Sequence, residues 1–227
     1  MDNLKGIIAS AKEKGNKTMD FIETTQSRRA VNFFDPDKPV SDDELRKIIE
    51  TASFAPSGLN LQPWQVIVVR SKEAKEKLMA AASGQPKIVE APVTLIILAD
   101  KNGWKSGHPI VEKTWENLVE LGYLKPEQRG WFEKGAQKLY GTPERSLAFA
   151  VKNASFFSMA LMLAAKSAGL DSHPIDGFDP EAVRRSFDIP DNFFLPLLIA
   201  IGHFNKSLKL MPPKWRKSYE EIVFATC

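Results

Sequence analysis

The chain has 227 residues, 43% hydrophobic and 26% charged, enough to bury a core without metal or disulfide staples. Lys and Arg number 31 against 28 Asp and Glu, a net charge of +3 that by itself argues for no nucleic-acid partner. The single cysteine, Cys227, excludes an intrachain disulfide and a cysteine-based metal site, and fits a reducing compartment.

In chain order, residues 1–18 read as a polar, Lys-rich N-terminal extension lacking the apolar core of a secretory signal. Ser41-Asp42-Asp43-Glu44 is a capping box, and Leu45, Ile48, Ile49 and Ala52 follow on one helical face, so a helix is expected to end near Phe54. Trp64–Arg70 is rich in β-branched residues and reads as a strand. Ser71 caps a following helix with Ala74, Leu78 and Met79 inward. Pro92–Ala99 is a near-continuous apolar run, the pattern of a strand covered on both faces. Residues 103–145 carry two amphipathic patterns, Glu112–Leu121 and Glu127–Leu139, and are taken as an inserted lid rather than a second domain. Ser146–Ala168 reads as a buried central helix stopped by Gly169. Asp179-Pro180 opens a short helix with Val183 and Phe187 inward, and Phe194–Gly202 is the last strand. No stretch approaches the ~20 uninterrupted apolar residues of a membrane span. The expectation is therefore an α+β protein, a single domain over residues 19–227, soluble and cytoplasmic, with no membrane partner.

No G-x-G-x-x-G follows a strand and no P-loop occurs, which disfavours a dinucleotide-binding or P-loop fold. Four segments carry chemistry. Ser27-Arg28-Arg29 offers two forked guanidiniums suited to a phosphate, or forms a solvated basic turn. Pro56-Ser57-Gly58-Leu59-Asn60-Leu61-Gln62-Pro63-Trp64 is a turn-rich loop able to present N–H and amide groups to a heteroaromatic ring, or simply a structural entry to the strand. Ser172–Phe178 lies between two helices, with backbone N–H groups near Asp176 and Gly177 free to donate; His173 within it reads as a polar surface residue rather than a catalyst. Pro212-Pro213-Lys214-Trp215-Arg216-Lys217 supplies further cations but has no aromatic platform for nucleic acid.

In this order the four segments resemble the nitroreductase family, whose members carry Arg-Arg-Ser, then Pro-Ser-x-x-Asn-x-Gln-Pro-Trp, then Pro-Ile-x-Gly-Phe, then Pro-Lys-x-Arg. The resemblance runs from about Phe21 to Arg216. It implies a mixed central sheet flanked by helices, in an intertwined homodimer that holds FMN at its interface. It also implies NAD(P)H as reductant, a nitroaromatic, quinone or similar conjugated acceptor, and chemistry carried on FMN with neither a catalytic side chain nor a metal. Carried over, Arg28 and Arg29 hold the ribityl-phosphate end and Lys214 and Arg216 neutralise the phosphate. Pro56, Ser57, Gly58 and Asn60 reach the flavin from the partner subunit. Pro174, Ile175, Asp176 and Gly177 line the ring, with Gln85 at its pyrimidine edge. Ala30 stands where the family has serine, and Asn32 where many members have a basic residue. The inserted segment would then cover the flavin's open face, with Trp131 and Tyr140 stacking on the acceptor and FMN binding left nearly untouched. Competing readings are a flavin-dependent dehalogenase on the same scaffold and a non-catalytic FMN carrier or sensor.

Overall fold

The computed structural model describes residues 20–227, so the predicted N-terminal extension lies outside the described residues. The chain opens with α1 (Phe21–Ser27), N-capped by Asp20, and α2 (Asp42–Ala52). At the start of α2 the capping box closes: Ser41 accepts from the Glu44 N–H while Glu44 accepts from the Ser41 N–H. Strand β1 (Trp64–Val69) leads through the Ser71 cap into α3 (Lys72–Ala81), a short α4 (Lys87–Glu90) and β2 (Val93–Asp100). The inserted segment folds as α5 (Pro109–Glu120) and α6 (Arg129–Tyr140). Then come α7 (Pro143–Ser167), β3 (Asp171–Ile175), α8 (Pro180–Ser186), β4 (Phe193–Phe194), β5 (Leu198–Gly202) and α9 (Tyr219–Ile222).

The sheet order is β1-β2-β5-β3, with β4 paired to the far end of β2. All named ladders are antiparallel, and the parallel pairing is an isolated bridge between Ala30 and Ser172. Every residue of β2 is buried, as its unbroken apolar run requires. Its pleat divides the core in two. Val93, Leu95, Ile97 and Ala99 pack with α2, α7 and the inserted helices, whereas Ile96 and Leu98 pack with α3 and α8.

Three sequence expectations shift. The central helix begins at Pro143, because Thr142 accepts from the Arg145 N–H and proline suits the first helical position. The last strand is broken at Leu195–Leu197, where Pro196 lacks the N–H a continuous ladder needs. Residues 171–175, where the sequence predicts no strand between the two helices, form an edge strand. Proline at 174 is tolerated there because one side of the strand needs no donor.

Helix α7 is long and apolar enough to cross a membrane by length and composition alone. Here it lies on the sheet, burying Phe149, Phe157 and Leu161 completely against β2 and β5. Trp64 stacks on Phe157 with ring centroids 5.2 Å apart, fixing the start of β1 to the helix. The helix ends where Gly169 takes φ +81°, a conformation open to glycine without steric cost.

Candidate functional site

Helix α1 delivers the first two arginines. Arg28 is its C-cap, its N–H bonded to the Thr24 carbonyl, and the Arg29 guanidinium donates to the Gln26 and Arg28 carbonyls. The Ala30–Ser172 bridge then pins the chain to β3, with the Val31 N–H on the Ser172 carbonyl at 3.2 Å. The tail beyond β5 returns over the same region. A cavity of about 260 Å³ brings together Arg28, Arg29, Ala30, Asn32, Lys214 and Arg216, six of the residues singled out in the sequence. It adds Phe204 and Lys209, which no motif marked, and His173, expected at the surface but half-buried here. Arg28, Arg29, Lys214 and Arg216 form no ion pair among the described residues. Burial, then the charges of Arg216 and Arg29, push the Arg28 guanidinium below its ordinary range. A cationic pocket without its own carboxylate can take up an external anion, and forked donors suit a phosphate with two or three acceptor oxygens.

One wall of this region is a hydrogen-bond relay. His173 Nδ1 lies 2.9 Å from the Val31 carbonyl, which can only accept, so this nitrogen carries the proton. Its Nε2 then presents a lone pair to Lys87 Nζ at 3.3 Å. Lys87 also donates to Gln85 Oε1 at 3.2 Å, and Gln85 Nε2 donates to the Gly177 carbonyl at 2.7 Å. Burial, then Lys87 and Lys214, push the His173 pKa down, outweighing the Val31 bond, and keep the ring neutral. Burial likewise lowers Lys87. Gln85 is thereby tied to the Pro174–Gly177 segment. Sequence reasoning missed Lys87: it opens a four-residue helix with no recognisable pattern around it.

Beyond β3 the chain turns away from the sheet. The N–H groups of Asp176 and Gly177 donate to no described residue, although the Phe178 N–H returns to the Asp176 carbonyl. Pro174 is half-buried on the edge strand. The Ile175 side chain is 2% exposed and belongs to the core beside Leu198, so only its backbone is open to a ligand.

The loop containing Pro56, Ser57, Gly58 and Asn60 lies elsewhere and does not line the cationic cavity. Leu59, Asn60 and Gln62 all have positive φ, at 53°, 56° and 41°. The loop precedes β1, whereas Pro174–Gly177 follows β3, and β2 and β5 stand between those strands. Three strand spacings of ~4.8 Å put the two edges about 14 Å apart. Antiparallel register brings the start of β1 and the end of β3 to the same end of the sheet.

In the inserted segment Trp115 and Phe132 form a tilted ring pair at 5.6 Å, and the Arg129 guanidinium lies over Trp115. Arg129 also links Glu112 on α5 with Glu133 on α6. Trp131 is 67% exposed, pointing away from the face that Phe132 buries. Tyr140 is different: its ring packs on Phe149 at 4.2 Å, so it does not stand clear to stack on an acceptor.

The Nitroreductase family model matches residues 25–203. MhqN of Bacillus subtilis (strain 168), a candidate NAD(P)H nitroreductase by name, is 33% identical over 208 residues, covering 90% of this chain and 98% of that protein. A crystal structure of a nitroreductase-type protein from Bacillus subtilis superposes with a TM-score of 0.84 at 31% identity, covering 91% of this chain and 98% of that one. Another, from Exiguobacterium sibiricum 255-15 and solved in complex with FMN, gives 0.80 at 25% identity over 92% and 98% of the two chains. A family match over most of the chain, with relatives that it covers nearly end to end, makes this protein a member of the nitroreductase family.

Proposed function

We propose that the chain is an FMN-dependent oxidoreductase that takes reducing equivalents from NAD(P)H and passes them, in a ping-pong cycle, to nitroaromatic, quinone or similar conjugated acceptors. The observation that carries this reading is the cavity of unpaired Arg28, Arg29, Lys214 and Arg216 beside the relay that ends on Gly177. Bound FMN supplies the redox chemistry, hydride uptake from NAD(P)H and its delivery to the acceptor, and the protein supplies orientation and electrostatics. The four cations hold the phosphate. The free N–H groups of Asp176 and Gly177 offer donors to the ring nitrogens, and Gln85, held on the Gly177 carbonyl, faces the pyrimidine edge. Lys87 supplies positive charge near that edge, where Asn32 has none to give.

Two copies complete the site in this reading. Ser57, Gly58 and Asn60 start at the sheet edge opposite Pro174–Gly177, so a partner subunit's loop reaches the ring more readily than the chain's own. Trp131, exposed on the inserted segment, is free to stack on a flat acceptor.

The test is direct. The protein is purified, denatured, and its released chromophore separated by chromatography. FMN is expected, together with NAD(P)H oxidation that accelerates when a quinone or nitroaromatic is added. FAD, or no flavin after reconstitution, overturns the assignment. Bound FMN without turnover of any acceptor leaves only the carrier reading.

A further inference from the structure

Three non-glycine residues with positive φ within four positions, Leu59, Asn60 and Gln62, make the 57–62 loop the most strained backbone among the described residues. Such conformations persist only where the surroundings over-determine them. Part of the restraint is internal: the Gln62 N–H donates to Ser57 Oγ at 2.9 Å and the Asn60 N–H to the Ser57 carbonyl at 3.0 Å. Part comes from the core helix. Asn153 of α7, fully buried and anchored by its Nδ2 on the Phe149 carbonyl, accepts the Gly58 N–H at 3.1 Å.

The rest comes from the inserted segment, and each of its helices contributes one side chain. Thr114 of α5, 5% exposed, donates its hydroxyl to the Asn60 carbonyl at 3.4 Å. Tyr140 of α6 sets its hydroxyl against the Gly58 α-carbon so closely that a Cβ there would meet the oxygen. No positive φ requires glycine at 58; what a Cβ there would meet is the Tyr140 hydroxyl. With its ring on Phe149, Tyr140 is held from one side and presses on the loop from the other.

We propose that Tyr140 and Thr114 are positioning residues, and that the inserted segment clamps the 57–62 loop in the shape in which Ser57, Gly58 and Asn60 meet the cofactor. The inference rests on the reading above that this loop faces FMN. It reverses the expectation that the segment leaves FMN binding untouched: releasing the clamp lets the loop leave its competent shape. If that shape falls to one-tenth of molecules, apparent FMN affinity falls about tenfold.

The contact between Gly58 and Tyr140 provides the test. Gly58→Ala inserts a methyl group against the hydroxyl, and Tyr140→Phe removes that oxygen while keeping the ring on Phe149. With the oxygen gone, the nearest remaining atoms, Tyr140 Cζ at 3.4 Å and Phe149 Cε2 at 3.6 Å, are at ordinary contact distance from that methyl. FMN dissociation constants are measured by flavin fluorescence on reconstituted protein, alongside the melting midpoint of the flavin-free forms. Gly58→Ala is expected to weaken FMN binding about tenfold or more, and Gly58→Ala with Tyr140→Phe to recover to within about threefold of wild type. Thr114→Val should weaken binding by several-fold without abolishing folding. If Gly58→Ala does not fold, Tyr140→Phe and Thr114→Val decide alone: unchanged FMN affinity in both overturns the clamp. Lowered melting midpoints with wild-type FMN affinity also overturn it, since the contacts would then be merely structural. A wild-type protein that binds no FMN overturns the functional reading itself, a distinguishable failure.

Discussion

Replacing Arg216 by alanine should move stability and FMN affinity in different directions, and that divergence tests the anion pocket. Arg216 is exposed, forms no ion pair among the described residues, and donates only to the carbonyls of Lys214 and Trp215 in its own segment. Its charge is a cause of the lowered Arg28 pKa, second only to burial, so in the ligand-free protein the two guanidiniums repel. An exposed residue away from packing contributes within about 0.5 kcal/mol to stability. The flavin-free Arg216→Ala variant should therefore melt at the wild-type temperature or slightly above it. A charge-assisted hydrogen bond to phosphate is worth ~1.5–3 kcal/mol net. At ~1.4 kcal/mol per decade, FMN binding should weaken about 10- to 150-fold. Scanning fluorimetry of the flavin-free protein and fluorescence titration with FMN measure the two effects separately. Unchanged FMN affinity would reject the phosphate site. A melting point several degrees lower would show Arg216 holding the fold together, and the argument from unpaired charge would collapse.

Four other outcomes follow from the same geometry. His173 has its folded pKa below the ordinary ~6.5, so near and below that pH the unfolded chain binds more protons than the folded one. Its contribution is present above ~6.5 and lost as pH falls through the folded value; His173→Gln should flatten the loss of melting temperature on acidification, and an unchanged slope would exclude His173 as its source. Asn153→Ala leaves the Gly58 N–H without its partner, while the Phe149 carbonyl keeps its helical bond from the residue 153 N–H. An unsatisfied buried group costs ~1–3 kcal/mol, and at ~2–4 °C per kcal/mol for a chain of this size calorimetry should record a drop of several degrees. Trp131→Ala should raise KM for the acceptor while leaving flavin reduction by NAD(P)H unaltered in stopped flow, and no change with any acceptor would make Trp131 a bystander. Sedimentation equilibrium should find two chains per particle, and a flavin-loaded, fully active monomer would remove the partner's loop from the site.

Where sequence and structure agree, a local rule decided the outcome. The capping box at Ser41, the caps at Ser71 and Asp179 and the apolar run of β2 act within one turn or one strand and need no tertiary information. Arg28, Arg29, Lys214 and Arg216 stood out as two short basic segments, and the fold brings them to one cavity. The misses have a different origin. Strand β3 was hidden by Pro174, tolerable only because the strand lies at an edge, and edge position is a property of the whole sheet. Lys87 and His173 meet across 86 positions of sequence, and neither has a flanking pattern that predicts the other. Tyr140 looked like a free aromatic in a lid because helical periodicity reports which face is apolar, not which partner that face finds.

The strained loop and the cationic pocket are both features that folding alone would not select. Positive φ at Leu59, Asn60 and Gln62 and a cluster of unpaired guanidiniums each raise the free energy of the ligand-free chain. Both fall on segments that the sequence motifs had singled out, and local rules are expected to break at functional positions for that reason. They are also placed on rigid supports. The loop is held by Asn153 of the core helix, and the arginines follow a capped helix pinned to β3 through the Ala30–Ser172 bridge. A ligand that neutralises the cations and packs on the loop would offset both costs at once and stabilise the folded state in proportion to ln(1 + [L]/Kd). Strain and repulsion therefore point to the same occupant as the residue types do: a planar molecule that ends in a phosphate.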